Sequence, residues 1–118
     1  MKLHEADSAD TIASFPEGYF DFIYVDADHG YEGVVRDIAA AKSKVGPNGY
    51  VIFNDYTFWS PTECMPYGIV QAVNEPCLAE DWEFAYLALG NLGYMDVALR
   101  CRRKKRSFIS LFSSIFHR

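Results

Sequence analysis

The sequence lacks the features that define several large protein classes. It has no run of 18 apolar residues, so no segment is expected to cross a membrane as a helix. Cys64, Cys77 and Cys101 are odd in number and widely spaced, and no CxxC pair occurs. That pattern supports neither a disulfide framework nor a cysteine-based zinc site. The eight glycines form no GxGxxG and no GxxxxGK[ST], which removes the phosphate-cradling loops of dinucleotide-binding domains and NTPases. No serine sits in a GxSxG elbow, which disfavours an α/β-hydrolase. The first residues carry Glu5, Asp7 and Asp10 and no apolar stretch, so a secretory signal is not expected. A reducing cytoplasm is the default setting. No internal repeat is visible.

What remains is ample for a folded domain. Of 118 residues, 50% are hydrophobic and 16% aromatic, which excludes a disordered or low-complexity chain. Charge is distributed unevenly. Residues 1–99 hold all 16 acids and four bases, a formal −12. Residues 100–118 hold seven bases and no acid, a formal +7. Two parts are implied: an acidic globular domain over residues 1–100 and a basic tail over 101–118.

Within the acidic part, Tyr19 to Asp26 is an aromatic and β-branched run that stops at an acid, as expected of a strand buried on both faces. After the polar turn Ala27-Asp28-His29-Gly30, apolar or small residues at 31, 34, 35, 38, 39 and 42 mark an amphipathic helix. Gly46-Pro47-Asn48-Gly49 is expected to end it, and Tyr50 to Phe53 to form a second buried strand stopping at Asn54-Asp55. This is a βαβ unit with parallel strands. Upstream, Lys2 to Ala6 reads as the end of a strand, and Asp7-Ser8 as the cap of a helix over Ala9 to Phe15. Downstream, Thr57 to Pro66 reads as a loop and Tyr67 to Cys77 as a helix broken near Pro76. Glu83 to Leu89 and Tyr94 to Arg100 make an antiparallel hairpin around Gly90-Asn91-Leu92-Gly93.

Ligands of open α/β sheets bind beyond the carboxyl ends of the strands. Both central strands deliver acids there: Asp26 with Asp28, and Asp55. Neighbouring strands lie about 4.8 Å apart, so Asp26 and Asp55 are expected to face one small space, with His29 and Asn54 nearby. Paired carboxylates hold a divalent cation, bind an ammonium group or share a proton. The plainer alternative is that Asp28 caps the following helix and Asp55 begins a turn. His29, beside two carboxylates, is placed either for a base or ligand role or as an ordinary loop residue. Tyr31, Tyr56 and Trp59 either line a pocket or pack as core and lid.

Phe-Asp-Phe-Ile-Tyr-Val-Asp-Ala-Asp-His-Gly-Tyr-Glu-Gly-Val from Phe20, followed by Gly-Pro-Asn-Gly-Tyr-Val-Ile-Phe-Asn-Asp-Tyr ending at Tyr56, resembles class I S-adenosylmethionine-dependent methyltransferases. It looks closest to the small-molecule branch with an "IDgdHsYegv" fourth strand and a "pGG…hDy" fifth strand. Glu5-Ala6-Asp7-Ser8 looks like the "gdS" after that family's third strand, and the likeness covers about residues 3–100. It implies a partial Rossmann-like α/β sheet, with parallel strands and a C-terminal antiparallel hairpin. The family's Gly-rich βαβ and its acidic second-strand residue would precede Leu3, so the chain looks like the C-terminal half of the fold. An exposed apolar edge on the Tyr19–Val25 strand is then expected, with a homo-oligomer forming through it.

The resemblance also implies roles. Asp7 and Ser8 would lie near the adenine of S-adenosylmethionine, and Asp26 and Asp28 beside its methionine end. His29 falls where related enzymes place the base that takes the acceptor's proton. Metal-dependent members bind a divalent cation through positions matching Asp26 and Asp55, although Tyr56 stands where those members have Asn. The reaction implied is methyl transfer to an oxygen or nitrogen of a small-molecule acceptor, incomplete in this chain. The alternative is a non-catalytic, truncated methyltransferase-like module acting through self-association or a partner. The −12 of residues 1–99 argues for no nucleic-acid contact.

In the tail, Arg100 and Arg102 to Arg106 precede Phe108, Ile109, Leu111, Phe112, Ile115 and Phe116, a one-sided stripe at helical spacing. It is read in three ways: a helix covering the sheet's exposed face, an amphipathic segment on an anionic membrane surface, or a macromolecular contact.

Overall fold

Phe20–Val25 (β1) opens the sheet, as its aromatic and β-branched run predicts. It is buried on one face rather than the two expected, because helices cover only the side of Ile23 and Val25. The computed structural model describes residues 2–102 of the chain. Readings made for the tail from Arg103 onward lie outside the described residues. Ser8–Ala13 (α1) precedes β1, and its N-cap Asp7 accepts a hydrogen bond from the Asp10 amide. Lys2 to Ala6 form no strand. Leu3 is the one large apolar side chain there and stays exposed, so pairing would bury little.

Tyr31–Lys44 (α2) follows β1, with Val34, Ile38 and Ala41 buried on one stripe. Val45–Phe53 (β2) then returns parallel to β1. Gly46-Pro47-Asn48-Gly49 is not the loop expected from sequence. It lies inside β2, where the register jumps from Phe20↔Val45 to Phe22↔Tyr50. The bulge requires a glycine at 49, because a Cβ there would meet the Asp21 carbonyl oxygen at 2.6 Å.

Trp59–Ser60 (β3) and Met65–Pro66 (β4) form a small hairpin where a loop was expected. Ile69–Ala79 (α3) runs through Pro76 without breaking. The proline lies near the helix end, is buried against the core side, and its carbonyl still accepts the Glu80 amide. Trp82–Leu89 (β5) and Met95–Cys101 (β6) form the predicted antiparallel hairpin.

The sheet order is β1-β2-β6-β5. β6 runs antiparallel to both neighbours, so β5 points the same way as β1 and β2. α2 and α3 cover one face, where Ile23, Val25, Val51, Phe53, Val97 and Leu99 meet Val34, Ile38, Val70 and Val73. Tyr31 joins the two helices by bonding the Glu75 carboxylate, and Lys42 pairs with Glu80 at their far ends. β1 is an edge strand, with Tyr19, Phe22 and Tyr24 exposed.

Candidate functional site

The parallel strands end and β6 begins at one rim. Backbone bonds fix the polar segment after β2: the Asn54 amide donates to the Val25 carbonyl at 3.0 Å, and the Tyr56 amide donates to the Met95 carbonyl at 2.6 Å. Asp55, between these anchors, adopts φ 56°, the left-handed region that non-glycine residues rarely occupy. This conformation aims its carboxylate at His29, whose Nε2 lies 3.5 Å from Asp55 Oδ2 and 3.9 Å from Asp26 Oδ1. Both carboxylates face His29, which stands between them.

Three further contacts hold His29 in place. The His29 ring stacks on Tyr67 with centroids 4.5 Å apart and planes 8° from parallel. Tyr67 donates to Glu63 at 2.7 Å. The Gly68 amide donates to the His29 carbonyl at 2.9 Å, fixing the 26–30 loop to the start of α3. His29 Nε2 itself is buried and has no hydrogen-bond partner among the described residues. An orphaned ring nitrogen is costly in a folded interior, and a bound group supplying its partner would remove that cost.

Asp26 is the more open carboxylate, with its side chain 58% exposed against 24% for Asp55. Burial raises the Asp55 carboxyl above its ordinary range, the facing His29 opposes this, and Asp26, Asp96 and Glu63 add to it. Asp28 turns away from the pair. Its Oδ1 accepts the Gly30 amide at 2.7 Å and its carboxylate lies over Gly33, at the start of α2. Asp7 caps α1 and accepts from Arg36 at 3.2 Å. Ser8 donates to buried Asp37 at 2.6 Å, joining α1 to α2. Tyr56 donates to Asn74 at 2.6 Å, Tyr31 bonds Glu75, and Trp59 is exposed.

Sequence reasoning missed a second polar cluster at this rim. Tyr24 donates to Asp96 Oδ2 at 2.6 Å, while Asn54 Nδ2 donates to Tyr24 at 3.0 Å and to Asp96 Oδ1 at 3.1 Å. Asp96 comes from the strand running the other way, a placement local spacing does not signal. It also missed Tyr94, whose hydroxyl meets Ser60 Oγ at 2.8 Å and Thr62 Oγ1 at 2.7 Å. These bonds lower the Tyr94 phenol below its usual range.

Among the described residues, no group of three or more His, Cys, Asp and Glu side chains is arranged to hold a metal ion. Asp26 and Asp55 alone do not make such a centre, because a hard divalent cation takes more oxygen ligands than these two supply.

With this geometry in place, the likenesses to known proteins are specific. A family described as "Methyltransferase domain" matches residues 1–56. No curated protein matches the sequence. Among solved structures, the fold is similar to a protein described as a "Putative DNA Modification Methylase" from Thermus thermophilus, with TM-score 0.57 and 8% identity over 82% of this chain and 52% of that one. It is similar at TM-score 0.53 and 9% identity to the same protein complexed with S-adenosyl-L-methionine, covering 81% of this chain and 53% of that one. The chain spans about half the length of these structures. The partial Rossmann-like α/β fold expected from the sequence is thereby shown.

These likenesses overturn the expectation of a small-molecule acceptor and no nucleic acid, since the proteins sharing the fold are described as acting on DNA. Net charge does not decide the partner: the −12 is summed over residues 1–99 alone, and seven bases lie in residues 100–118.

Proposed function

We propose that this chain serves S-adenosylmethionine-dependent methyl transfer, with His29 as the base that receives the acceptor's proton. The observation that carries this reading is the buried Nε2 of His29, unpartnered between Asp26 and Asp55 at the strand-end rim. The methyltransferase-domain match over residues 1–56 and the fold likeness to a structure complexed with S-adenosyl-L-methionine support it.

When bound, the cofactor supplies an electrophilic methyl group on a sulfonium. Asp26, the exposed carboxylate, is suited to an ammonium group such as that of the methionine moiety. Asp7, Ser8 and Asp28 retain the cofactor-side roles their motif implies. In this chain they also cap α1, bind Asp37 and hold the Gly30 amide. As the acceptor attacks the methyl carbon, the carbon–sulfur bond of that sulfonium would break toward sulfur, leaving S-adenosylhomocysteine, and the proton released from the acceptor's N–H or O–H would pass to His29 Nε2. Asp55 and Asp26 stabilise the imidazolium that results. Tyr67 fixes the ring plane, so the nitrogen is oriented before the acceptor arrives.

The acceptor to test first is DNA, on the strength of the Thermus protein's description, with the bases of residues 100–118 as phosphate-binding charge. Calorimetric titration of the full chain with S-adenosylmethionine, followed by transfer of labelled methyl to duplex and single-stranded DNA, tests both halves. Cofactor binding with label transfer that His29→Ala abolishes is the expected result. No heat up to millimolar cofactor would refute the reading. Binding without transfer to DNA would refute the acceptor alone.

A further inference from the structure

Asn54 and Tyr56 flank Asp55, and their side chains are tied to opposite faces of the sheet. Along β2, Val51 and Phe53 face α2 and α3, so alternation sends Ile52 and Asn54 to the other face. Asn54 is held there: its Nδ2 donates to Asp96 Oδ1 at 3.1 Å and to the Tyr24 hydroxyl at 3.0 Å. Tyr24 in turn donates to Asp96 Oδ2 at 2.6 Å. A continued strand would send Tyr56 to the same face as Asn54. Instead Tyr56 packs against the helix-side core, and its hydroxyl donates to Asn74 of α3 at 2.6 Å. The reversal falls on the one residue between them, and Asp55 makes it with φ 56°. A non-glycine residue keeps such a conformation only where its surroundings over-determine it.

We infer that Asp96 and Asn74 are positioning residues for the site, acting through Asn54 and Tyr56. Backbone bonds to Val25 and Met95 set where residues 54 and 56 lie, and the side-chain bonds set which way each one turns. Asp96 fixes Asn54 on one face and Asn74 fixes Tyr56 on the other. The turn forced between them aims the Asp55 carboxylate at His29 Nε2, 3.5 Å away. The effect of this clamp on methyl transfer rests on His29 being the base proposed above; its effect on the imidazole does not.

Three conservative variants loosen the clamp from both sides. Tyr24→Phe removes one partner of Asn54, and Asp96→Asn offers one amide oxygen where two carboxylate oxygens stood. Tyr56→Phe keeps the ring in the core and drops the Asn74 bond. Nitrogen-15 spectra of the full chain read the His29 imidazole with no cofactor present. Its ring signals should shift in all three variants, with the far-ultraviolet circular dichroism retained. The two phenylalanine variants change no charge, so their shifts report geometry. Lys42→Gln, which breaks the Lys42–Glu80 pair at the far ends of α2 and α3, should leave those signals in place. With cofactor and acceptor, each of the three should lower kcat at least about fivefold while the cofactor KM stays within about twofold. Unmoved His29 signals in the phenylalanine variants, or equal shifts in Lys42→Gln, would overturn the inference. So would a rise in cofactor KM that accounts for the whole loss of rate. Shifted ring signals in a chain that transfers no methyl group would refute the base and leave the clamp standing.

Discussion

The imidazole of His29 lies flat on the ring of Tyr67, 4.5 Å between centroids, while the Gly68 amide bonds the His29 carbonyl. Two adjacent residues at the start of α3 thus hold one residue of the β1–α2 loop, through its side chain and its backbone. Tyr67→Phe keeps the ring and loses the Glu63 bond, so it should cost about 1 kcal/mol of stability and leave transfer nearly unchanged. Tyr67→Ala removes the stacking surface of a buried ring. It should cost roughly 3 kcal/mol and lower the transfer rate at least tenfold. Urea unfolding of each variant beside its rate checks the pair. Equal rates for Phe and Ala would mean the stack positions nothing.

A methyl group at position 68 has nowhere to go. An added Cβ would run into the Tyr31 backbone, with Tyr31 Cα at 2.7 Å, and backbone cannot swing aside. Gly68→Ala should therefore separate the N-termini of α2 and α3 and displace His29. A loss of roughly 1 to 3 kcal/mol is expected from overpacking of this kind. A thermal midpoint matching the native chain would contradict it.

Asp55 separates charge from backbone conformation. Asn tolerates φ near 56°, so Asp55→Asn should fold normally while slowing transfer, because the imidazolium loses a carboxylate at 3.5 Å. A β-branched residue does not tolerate that φ, and Asp55→Val should lose about 1 to 2 kcal/mol. Measured stabilities in the opposite order would remove the strain argument.

Acid should affect this protein in a distinctive direction. Burial raises the carboxyls of Asp37 and Asp55 above their ordinary range. The folded chain holds these protons more tightly than the unfolded one, so this contribution falls as pH rises from about 4 through the raised folded values. Glu17, lowered by its bond to Lys44, acts oppositely and only below the usual glutamate range. Asp37→Asn keeps an acceptor for Ser8 and removes one ionisation. Its unfolding midpoint should decline less between pH 4 and 7 than that of the native chain.

Periodicity revealed most of the fold. The Tyr19 to Asp26 run, the 31–42 stripe and each strand of the hairpin after Trp82 carry their pattern within a dozen residues, and each formed. Where tertiary context decided, local signals misled. Gly46 to Gly49 and Pro76 are strong breakers in isolation, yet the first became a bulge against β1 and the second stayed within a buried helix. The site divides the same way. Asp26, His29 and Asp55 follow strand ends, so their common rim was legible. Asp96, Tyr94, Glu63 and Tyr67 reach it from distant stretches with no spacing rule to announce them.

Because β6 opposes its neighbours, the rim depends on alignment as well as composition. Side chains along a strand alternate faces, so sliding β6 by a single residue against β2 would carry Asp96 to the far surface. Tyr24 and Asn54 would then lose their shared acceptor, although every backbone pairing could be remade. The Tyr24–Asp96 bond, spanning 72 positions of sequence, therefore works as a lock on strand registration, and its hydroxyl signal would be a sensitive spectroscopic reporter of a mispaired sheet.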